Sequence, residues 1–161
     1  MRKDQMRQDT DTSNAMVRPP FAWLLALAAG IAANWLYPLP FVPASVRGAW
    51  VGAAIFALAF ALGIWAIVTI RKAGTQVETY KPTTAIVASG PYRFTRNPIY
   101  LGMMLGLIGL AIALDSLWIL ATLVLFCFVI RYGVIAREEA YLERKFGEVY
   151  LGYKSRVRRW L

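Results

Sequence analysis

Long apolar runs alternate with shorter polar segments along this chain of 161 residues. Four runs stand out, at about 21–37, 49–70, 98–114 and 117–135. Each approaches the ~20 apolar residues that a helix needs to cross the hydrocarbon core of a bilayer, and the first and third are the shortest. The pattern therefore predicts an all-α membrane protein with four transmembrane helices.

A helix with one apolar face is predicted after the last run. Apolar side chains recur there at helical spacing, with charges at the other positions; they are Leu142, Phe146, Val149, Tyr150, Tyr153, Val157, Trp160 and Leu161. We expect Gly147 to bend or break this helix, because glycine destabilises a helix interior. The segment is thus an amphipathic helix at the membrane surface. For Trp160 and the last basic residues, the favoured interpretation is anchoring to lipid phosphates.

Two polar segments flank the first pair of runs. Residues 1–18 carry both charge signs without periodicity, which predicts disorder as far as Pro19. The loop 71–97 is long for so small a protein, and long ordered loops are commonly functional. Its stretch 83–89 is β-prone and too short for a helix, so we expect it to be extended. Residues 19–161 are interpreted as one domain, with 71–97 and 136–161 as its cytoplasmic elements.

Composition and charge agree with a membrane protein and orient it. The chain is 58% hydrophobic with a mean hydropathy of +0.49, which is too apolar for an ordinary soluble domain. Lys and Arg concentrate in 1–18, 71–97 and 136–161, whereas the other two turns contain only Arg47. The positive-inside rule then places both termini in the cytoplasm, with a bacterial inner membrane as the expected location. Topology and anionic lipid account for the net charge of +9, so nucleic acid is not an expected partner.

The residue types that are missing limit the possible chemistry. The chain has no histidine and one cysteine, Cys127. This excludes a His-ligated zinc or haem, a Ser-His-Asp triad and an intramolecular disulfide. No metal site is predicted, and chemistry must come from Glu, Asp, Arg, Lys, Tyr or a bound cofactor.

Glycines in the second and third runs recur at a spacing typical of closely packed membrane helices. Gly48 and Gly52 are four residues apart, as are Gly102 and Gly106, with Gly109 on nearly the same face. Small residues at this spacing let two helix backbones approach closely. For the first pair, chance occurrence is an equally good explanation.

A polar segment before the third run is the first candidate for a binding site. Asn97 is a favoured N-cap and Pro98 a favoured first helical residue, so the pair predicts the start of a helix. Its free N–H groups and positive dipole end suit a carboxylate or phosphate. The tight turn at Gly90 and Pro91 brings backbone close to a ligand. Tyr92 and Tyr100 supply aromatic walls, or equally belong to the interfacial aromatic belt.

A second group of candidates lies around the end of the fourth run. Arg131 is either a snorkelling arginine or faces the bundle and pairs with an anion. On a continuous α-helix, Arg131 and Glu138 would share a face about 10 Å apart. Glu138 and Glu139 do not suit an anionic lipid surface, so an anchoring role does not explain them. Together these groups could hold a zwitterionic, hydroxyl-bearing ligand such as S-adenosylmethionine.

The two candidate segments carry a resemblance to a known family. The string GPYRFTRNPIYLG, followed by an apolar span and then REEAYLERKFGEVYLGYKSRVRRWL, resembles the isoprenylcysteine carboxyl methyltransferase and phospholipid methyltransferase superfamily. The resemblance covers about residues 71–161. It implies an integral membrane enzyme that binds S-adenosylmethionine at the cytoplasmic face, between the last two spans and the C-terminal helix.

Carried over by position, the resemblance implies that three segments line the cofactor site. They are Gly90-Pro91-Tyr92, Arg96 through Tyr100 together with Leu101, and Glu138-Glu139. Members of the superfamily often have histidine where this chain has Asn97. Asparagine keeps a hydrogen-bonding side chain and a helix cap, but it cannot perform any role that needs an imidazole.

The expected activity is methyl transfer from S-adenosylmethionine to a lipidic acceptor. Arginine content slightly favours a carboxylate acceptor, held by Arg96 or Arg131, in an isoprenylcysteine-type O-methylation. A phospholipid amine would instead need a general base, with Glu139 or a tyrosine as candidates. Two alternatives remain: an NADPH-dependent membrane reductase of the sterol reductase type, and a non-enzymatic four-helix membrane protein.

Overall fold

A computed structural model describes residues 11–46 and 48–161, and these residues form helices and loops without a β-strand. The α-helices in chain order are α1 (Pro19–Leu36), α2 (Gly48–Lys72), α3 (Pro98–Ala113), α4 (Leu117–Phe128), α5 (Ala136–Phe146) and α6 (Glu148–Arg156). A 3-10 turn spans Gly90–Arg93, and a π-helical segment, Val129–Ile135, joins α4 to α5. The all-helical prediction is confirmed.

Three helical stretches are long and apolar enough to cross a membrane: Pro19–Leu36, Gly48–Lys72 and Leu117–Phe146. The helix α3 is also apolar but has 16 residues. Large apolar side chains on the long helices are exposed, among them Leu25, Leu58 and Leu125. Because lipid would cover such side chains, these helices fit an integral membrane protein. Four spans with cytoplasmic termini remain a prediction.

The third stretch, Leu117–Phe146, is longer than a membrane is thick. It has 30 residues, comprising α4, the π-helical segment and α5. At ~1.5 Å per residue it is ~45 Å long, which exceeds the ~30 Å hydrocarbon core. Its charged last part, α5, is the part that suits the region beyond the hydrocarbon, and it carries Glu138 and Glu139 in its first turn.

The backbones of α2 and α3 touch where glycines meet. A Cβ atom on Gly52 would lie 2.4 Å from the Gly109 carbonyl oxygen, and one on Gly109 would lie 2.7 Å from the Phe56 nitrogen. A Cβ on Gly102 would lie 3.0 Å from the carbonyl oxygen of Ala59. The glycine spacing in both runs therefore marks a real helix interface.

The core lies where α3 meets α4 and the π-helical segment. Leu107, Ile119 and Ile130 are fully buried there. The helix α4 packs between α3 and α1, and the Trp23 indole N–H of α1 donates to the Met103 carbonyl at 2.8 Å. Three helices thus share one apolar centre, and α2 joins them through α3.

The two turns at the far end of the bundle are bound together by one carboxylate. Asp115, between α3 and α4, accepts hydrogen bonds from the backbone N–H groups of Phe41 and Val42 at 2.7 Å each. The Leu117 N–H also donates to the Leu39 carbonyl at 3.0 Å. These contacts fix the first hairpin against the second.

Residues 11–18 pack against the bundle, although their composition predicted disorder. Asp11 pairs with Lys145 of α5 at 2.6 Å, and the Met16 N–H donates to the Gly133 carbonyl at 2.9 Å. A sequence-local pattern does not show these partners, because they lie more than 100 positions away in the chain. Residues 1–10, which are also predicted to be disordered, and Arg47, which was counted in the charge pattern, lie outside the described residues.

The predicted break at Gly147 is confirmed. Its φ of +50° lies in the left-handed region, and it separates α5 from α6. Glycine adopts this conformation without the steric cost that a Cβ atom brings. The break turns α6 back toward the start of α3.

Candidate active site

A cavity lies at the charged end of the bundle, between the loop 71–97, the first turn of α3, α5 and α6. It encloses about 920 Å³, its open mouth included. Polar and aromatic side chains from all four elements line it: Thr75, Thr83, Tyr92, Arg96, Asn97, Tyr100, Glu138, Glu139, Tyr141, Tyr150 and Tyr153. Most of the site residues predicted from the sequence are therefore brought together here.

Glu139 is bound by two arginines at one side of the cavity. Arg159 donates to both of its carboxylate oxygens, at 2.9 and 2.7 Å, and an Arg96 nitrogen lies 3.3 Å from one of them. Burial alone would raise the pKa of Glu139, but the Arg159 hydrogen bonds and the charges of Arg96, Arg159 and Lys154 hold it below its ordinary value. Glu139 is therefore an ionised structural partner of two cations.

Arg96 keeps unused hydrogen-bond donors inside this buried cluster. Its side chain is only 8% exposed, and its Nε and Nη1 atoms have no hydrogen-bond partner among the described residues. A buried guanidinium with unmade hydrogen bonds costs free energy until an acceptor arrives. Arg96 lines the cavity, and these two donors lie in its wall, shielded from solvent.

Glu138 has a different environment from its neighbour. Its Oε1 atom accepts a hydrogen bond from the Tyr100 hydroxyl at 2.9 Å, and no cation pairs with it in the described chain. Burial raises the pKa of Glu138 to about 7; the Tyr100 hydrogen bond opposes this rise and the charge of Glu139 adds to it. Glu138 can therefore hold or release a proton near neutral pH.

Tyrosines form much of the remaining wall. Burial raises the pKa of Tyr150 to about 12, and it raises the pKa values of Tyr92 and Tyr153 as well. These phenols stay neutral and serve as walls and hydrogen-bond donors. The Tyr153 hydroxyl donates to the Tyr92 carbonyl at 2.8 Å, which ties α6 to the 3-10 turn.

Asn97 occupies the N-cap position of α3 but does not cap the helix with its side chain. No side-chain cap hydrogen bond forms, and its amide nitrogen instead donates to the Arg159 carbonyl at 3.0 Å. The predicted side-chain cap is wrong, because the C-terminal segment offers the amide a backbone acceptor. Asn97 still lines the cavity, as predicted.

The C-terminal segment, residues 157–161, completes the site. The resemblance implies that the C-terminal helix borders the site, but the roles of residues 158 and 159 beyond that helix were not predicted. The backbone N–H of Arg96 donates to the Arg158 carbonyl at 3.0 Å, and the Thr95 hydroxyl donates to the Arg159 carbonyl at 3.0 Å. Arg159 was assigned to lipid phosphates, but its guanidinium binds Glu139. Its basic neighbours hid this role, since a run of arginines gives no sign of which one turns inward.

Other predicted site residues lie near the cavity without lining it. Gly90 has a φ of +57°, and a Cβ there would lie 2.7 Å from the Thr69 hydroxyl oxygen, so the turn requires glycine. Pro91 is buried beneath that turn. Leu101 faces a separate groove on the other side of α3. Gly90 and Pro91 thus shape the site instead of lining it.

Arg131 is not part of the cavity. The prediction that it shares a face with Glu138 assumed a regular α-helix, but the intervening residues Val129–Ile135 are π-helical. A π-helix places more residues in each turn and shifts the face on which later residues lie. Arg131 consequently lines the same outer groove as Leu101, while Glu138 lines the cavity.

The sequence of this chain matches a known protein family. The profile of the phospholipid methyltransferase family matches residues 48–149, which is more than half of the chain. The chain belongs to this family. The match covers α2, the loop 71–97, α3, α4 and α5, and it ends at residue 149, so most of α6 and the C-terminal segment lie beyond it.

Two proteins are similar to parts of this chain. An uncharacterized protein of Haemophilus influenzae is 43% identical over 63 residues, which cover all of that protein and 39% of this chain. The cobalt-zinc-cadmium resistance protein CzcN of Cupriavidus metallidurans is 30% identical over 121 residues, which cover 71% of this chain and 56% of that protein. This chain thus spans about half the length of the second relative. No solved structure matches the sequence.

Family membership confirms the predicted resemblance and supports a membrane methyltransferase that acts on lipid. The apolar helices fit the same conclusion. Within the described residues, no group of three or more His, Cys, Asp or Glu side chains is arranged to hold a metal ion.

Proposed function

We propose that the cavity binds S-adenosylmethionine and that the protein transfers its methyl group to a lipid amine. The observation that carries this proposal is the pair of unsatisfied, buried donors on Arg96 within the same cavity as Glu138. The Arg96 cation complements the carboxylate of an amino acid moiety, and the Glu138 carboxylate, which has no cationic partner in the described chain, is left to take a proton from an amine. S-adenosylmethionine has such an amino acid moiety.

The residues present fit this cofactor in two ways. The Arg96 Nε and Nη1 atoms would hold its carboxylate, satisfying donors that are otherwise buried without partners. The aromatic walls of Tyr92, Tyr150 and Tyr153 would exclude water around it. When bound, S-adenosylmethionine supplies an electrophilic methyl group on a sulfonium sulfur.

Glu138 is the residue that would handle the acceptor's proton. A lipid ammonium must lose a proton before its nitrogen can act as a nucleophile, and a base with a pKa near the working pH does this best. Glu138 has a pKa of about 7 and lines the cavity. The Tyr100 hydroxyl holds its carboxylate in position. Glu139 is less suited, because its pKa is lowered and Arg159 occupies both of its oxygens.

The case for a carboxylate acceptor is weaker in this geometry. It relied on two arginines, of which Arg131 lies in the outer groove. Arg96 remains in the cavity, but it already pairs with Glu139 and is the residue proposed to hold the cofactor. A lipid amine needs only a base, and Glu138 supplies one.

Calorimetric titration with S-adenosylhomocysteine tests the cofactor. We expect Arg96→Gln to weaken binding by roughly 1–3 kcal/mol, since it removes the charged partner of the cofactor carboxylate from a desolvated site. Arg93→Gln is the matched control, because Arg93 lies in the same segment but is exposed. Binding of NADPH in place of S-adenosylhomocysteine, or unchanged affinity of Arg96→Gln, would refute the proposal.

A methylation assay with two lipid classes tests the acceptor. With labelled S-adenosylmethionine, a phosphatidylethanolamine should accept the methyl group, and the rate should fall as pH drops below about 7, when Glu138 keeps its proton. Transfer only to a lipid carboxylate such as a prenylcysteine would instead support O-methylation. That result would remove the base role of Glu138.

A further inference from the structure

A groove on the outer surface of the bundle follows the seam between α3 and α4. It encloses about 1020 Å³, its open side included. Leu101, Met104 and Leu105 of α3 line one wall, and Leu123 and Cys127 of α4 line the other. Both walls belong to apolar runs, so hydrocarbon is the medium that suits the groove along most of its length.

One end of this groove carries a charge. Arg131 lies in the π-helical segment, about one turn before the end of the apolar run, and it is half-buried. Its guanidinium carbon lies 5.2 Å from the centre of the Tyr132 ring. Among residues 11–46 and 48–161, no carboxylate forms an ion pair with it.

A cation in an apolar groove calls for an anion that enters with hydrocarbon. An ionisable side chain within a membrane span normally pairs with another group, because an unpaired charge is costly there. Trp160, at the same end of the groove as Arg131, adds an aromatic ring of the kind that lies at the headgroup level. A phospholipid supplies a phosphate at this level and an acyl chain below it.

The charge balance favours a lipid with a net negative headgroup. A zwitterionic lipid brings its own ammonium, which competes with Arg131 for the phosphate. An anionic headgroup leaves the phosphate to the guanidinium, which binds phosphate through paired N–H donors. The apolar lining residues contribute no side-chain carboxylate that would repel it.

We propose that the α3–α4 groove binds one anionic phospholipid, whose phosphate pairs with Arg131 and whose acyl chain lies against Met104, Leu105 and Cys127. This site is separate from the cavity, which opens on the other side of α3. The lipid also contacts Trp160, the neighbour of Arg159, so it supports the C-terminal segment that completes the cavity.

Cys127 provides a direct reporter of whether the groove is filled. It is the only cysteine in the chain, and it lines the groove. Protein purified in a neutral detergent is mixed with increasing mole fractions of phosphatidylglycerol or phosphatidylcholine. The rate at which an apolar maleimide alkylates Cys127 is then followed by mass spectrometry.

We expect phosphatidylglycerol to slow alkylation at lower mole fractions than phosphatidylcholine. Arg131→Gln should raise the mole fraction of phosphatidylglycerol that halves the rate by about tenfold, because a charge-assisted contact is lost. Arg131→Lys should retain the preference. Arg71→Gln is the matched control, since Arg71 is an exposed arginine at the end of α2.

Equal protection by both lipids in the wild-type protein would overturn the proposal and leave Arg131 as a snorkelling residue in bulk lipid. Full protection of Arg131→Gln by phosphatidylglycerol would overturn it as well. The comparison of lipids uses the wild-type chain, so it decides the matter even if a variant folds poorly. Cofactor binding plays no part in the readout, which keeps this outcome distinct from that of the proposed function.

Discussion

At the scale of single residues, two adjacent glutamates have pKa values that are shifted in opposite directions. Glu139 is bound by Arg159 and approached by Arg96, whereas Glu138 accepts one hydrogen bond from Tyr100. The sequence predicted that both line the cofactor site and named Glu139 as a candidate base, because adjacent carboxylates look alike in a pattern. The difference between the two glutamates depends on Arg159, a residue near the C-terminus that donates two hydrogen bonds to Glu139.

The pKa of Glu138 leads to a stability prediction. The folded protein keeps the Glu138 proton to about pH 7, while the reference value is 4.5. The folded state therefore binds more protons between these values, and wild-type stability falls as pH rises through that range. Glu138→Gln avoids this loss, so we expect it to be more stable than the wild type by roughly 1–3 kcal/mol at pH 8.5, with little difference at pH 4.5.

Chemical unfolding of both proteins in the same detergent, at the two pH values, measures this difference. Glu148→Gln is the control, because Glu148 is an exposed acid in the first turn of α6. A gain of the same size at both pH values would mean that protonation of Glu138 is not its cause.

At the scale of helices, the decisive features are a glycine contact and a π-helical segment. The glycine spacing predicted close packing, and the structure identifies α2 and α3 as the pair that it joins. The π-helical segment was not predicted, because no residue type specifies it by itself. Its Gly133 carbonyl accepts a hydrogen bond from the Met16 N–H, so a contact from outside the helix accompanies the irregular turn.

The glycine contact can be tested with two alanine substitutions. Gly109→Ala should destabilise the protein by roughly 1–3 kcal/mol, because the new methyl group meets backbone atoms that cannot move independently. Gly63→Ala is the matched control on α2, where a Cβ meets nothing within 4 Å. We expect it to be neutral or stabilising by up to about 1 kcal/mol, since alanine favours a helix. Equal unfolding free energies for the two variants would contradict the close contact.

At the scale of the whole molecule, the C-terminal segment links the elements around the cavity. Residues 158–159 bind the segment that precedes α3, and the Arg159 side chain binds α5. At the other end of the bundle, Asp115 binds the first turn to the second. The cavity therefore depends on contacts between segments that are 60 or more residues apart in sequence.

Reporter fusions test the predicted topology. Fusions in the loop 71–97 and at residue 161 should report the cytoplasm, and fusions in the turn 38–43 and at 115–116 should report the opposite side. The basic residues on one side of the spans are the physical reason. Signals from the same side for 71–97 and 115–116 would mean that α3, with its 16 residues, does not cross the membrane.

The sequence by itself determined the helical class, the apolar runs, the break at Gly147 and two of the segments that line the cavity. Each of these follows from local properties: hydropathy, periodicity, glycine conformation and a motif with fixed spacing. The tertiary structure decided which residues contact each other. It bound Glu139 to Arg159, turned Asn97 toward a carbonyl instead of the helix N-terminus, and moved Arg131 out of the site. These outcomes depend on where distant segments meet, and pairing between distant segments is not encoded in any local pattern.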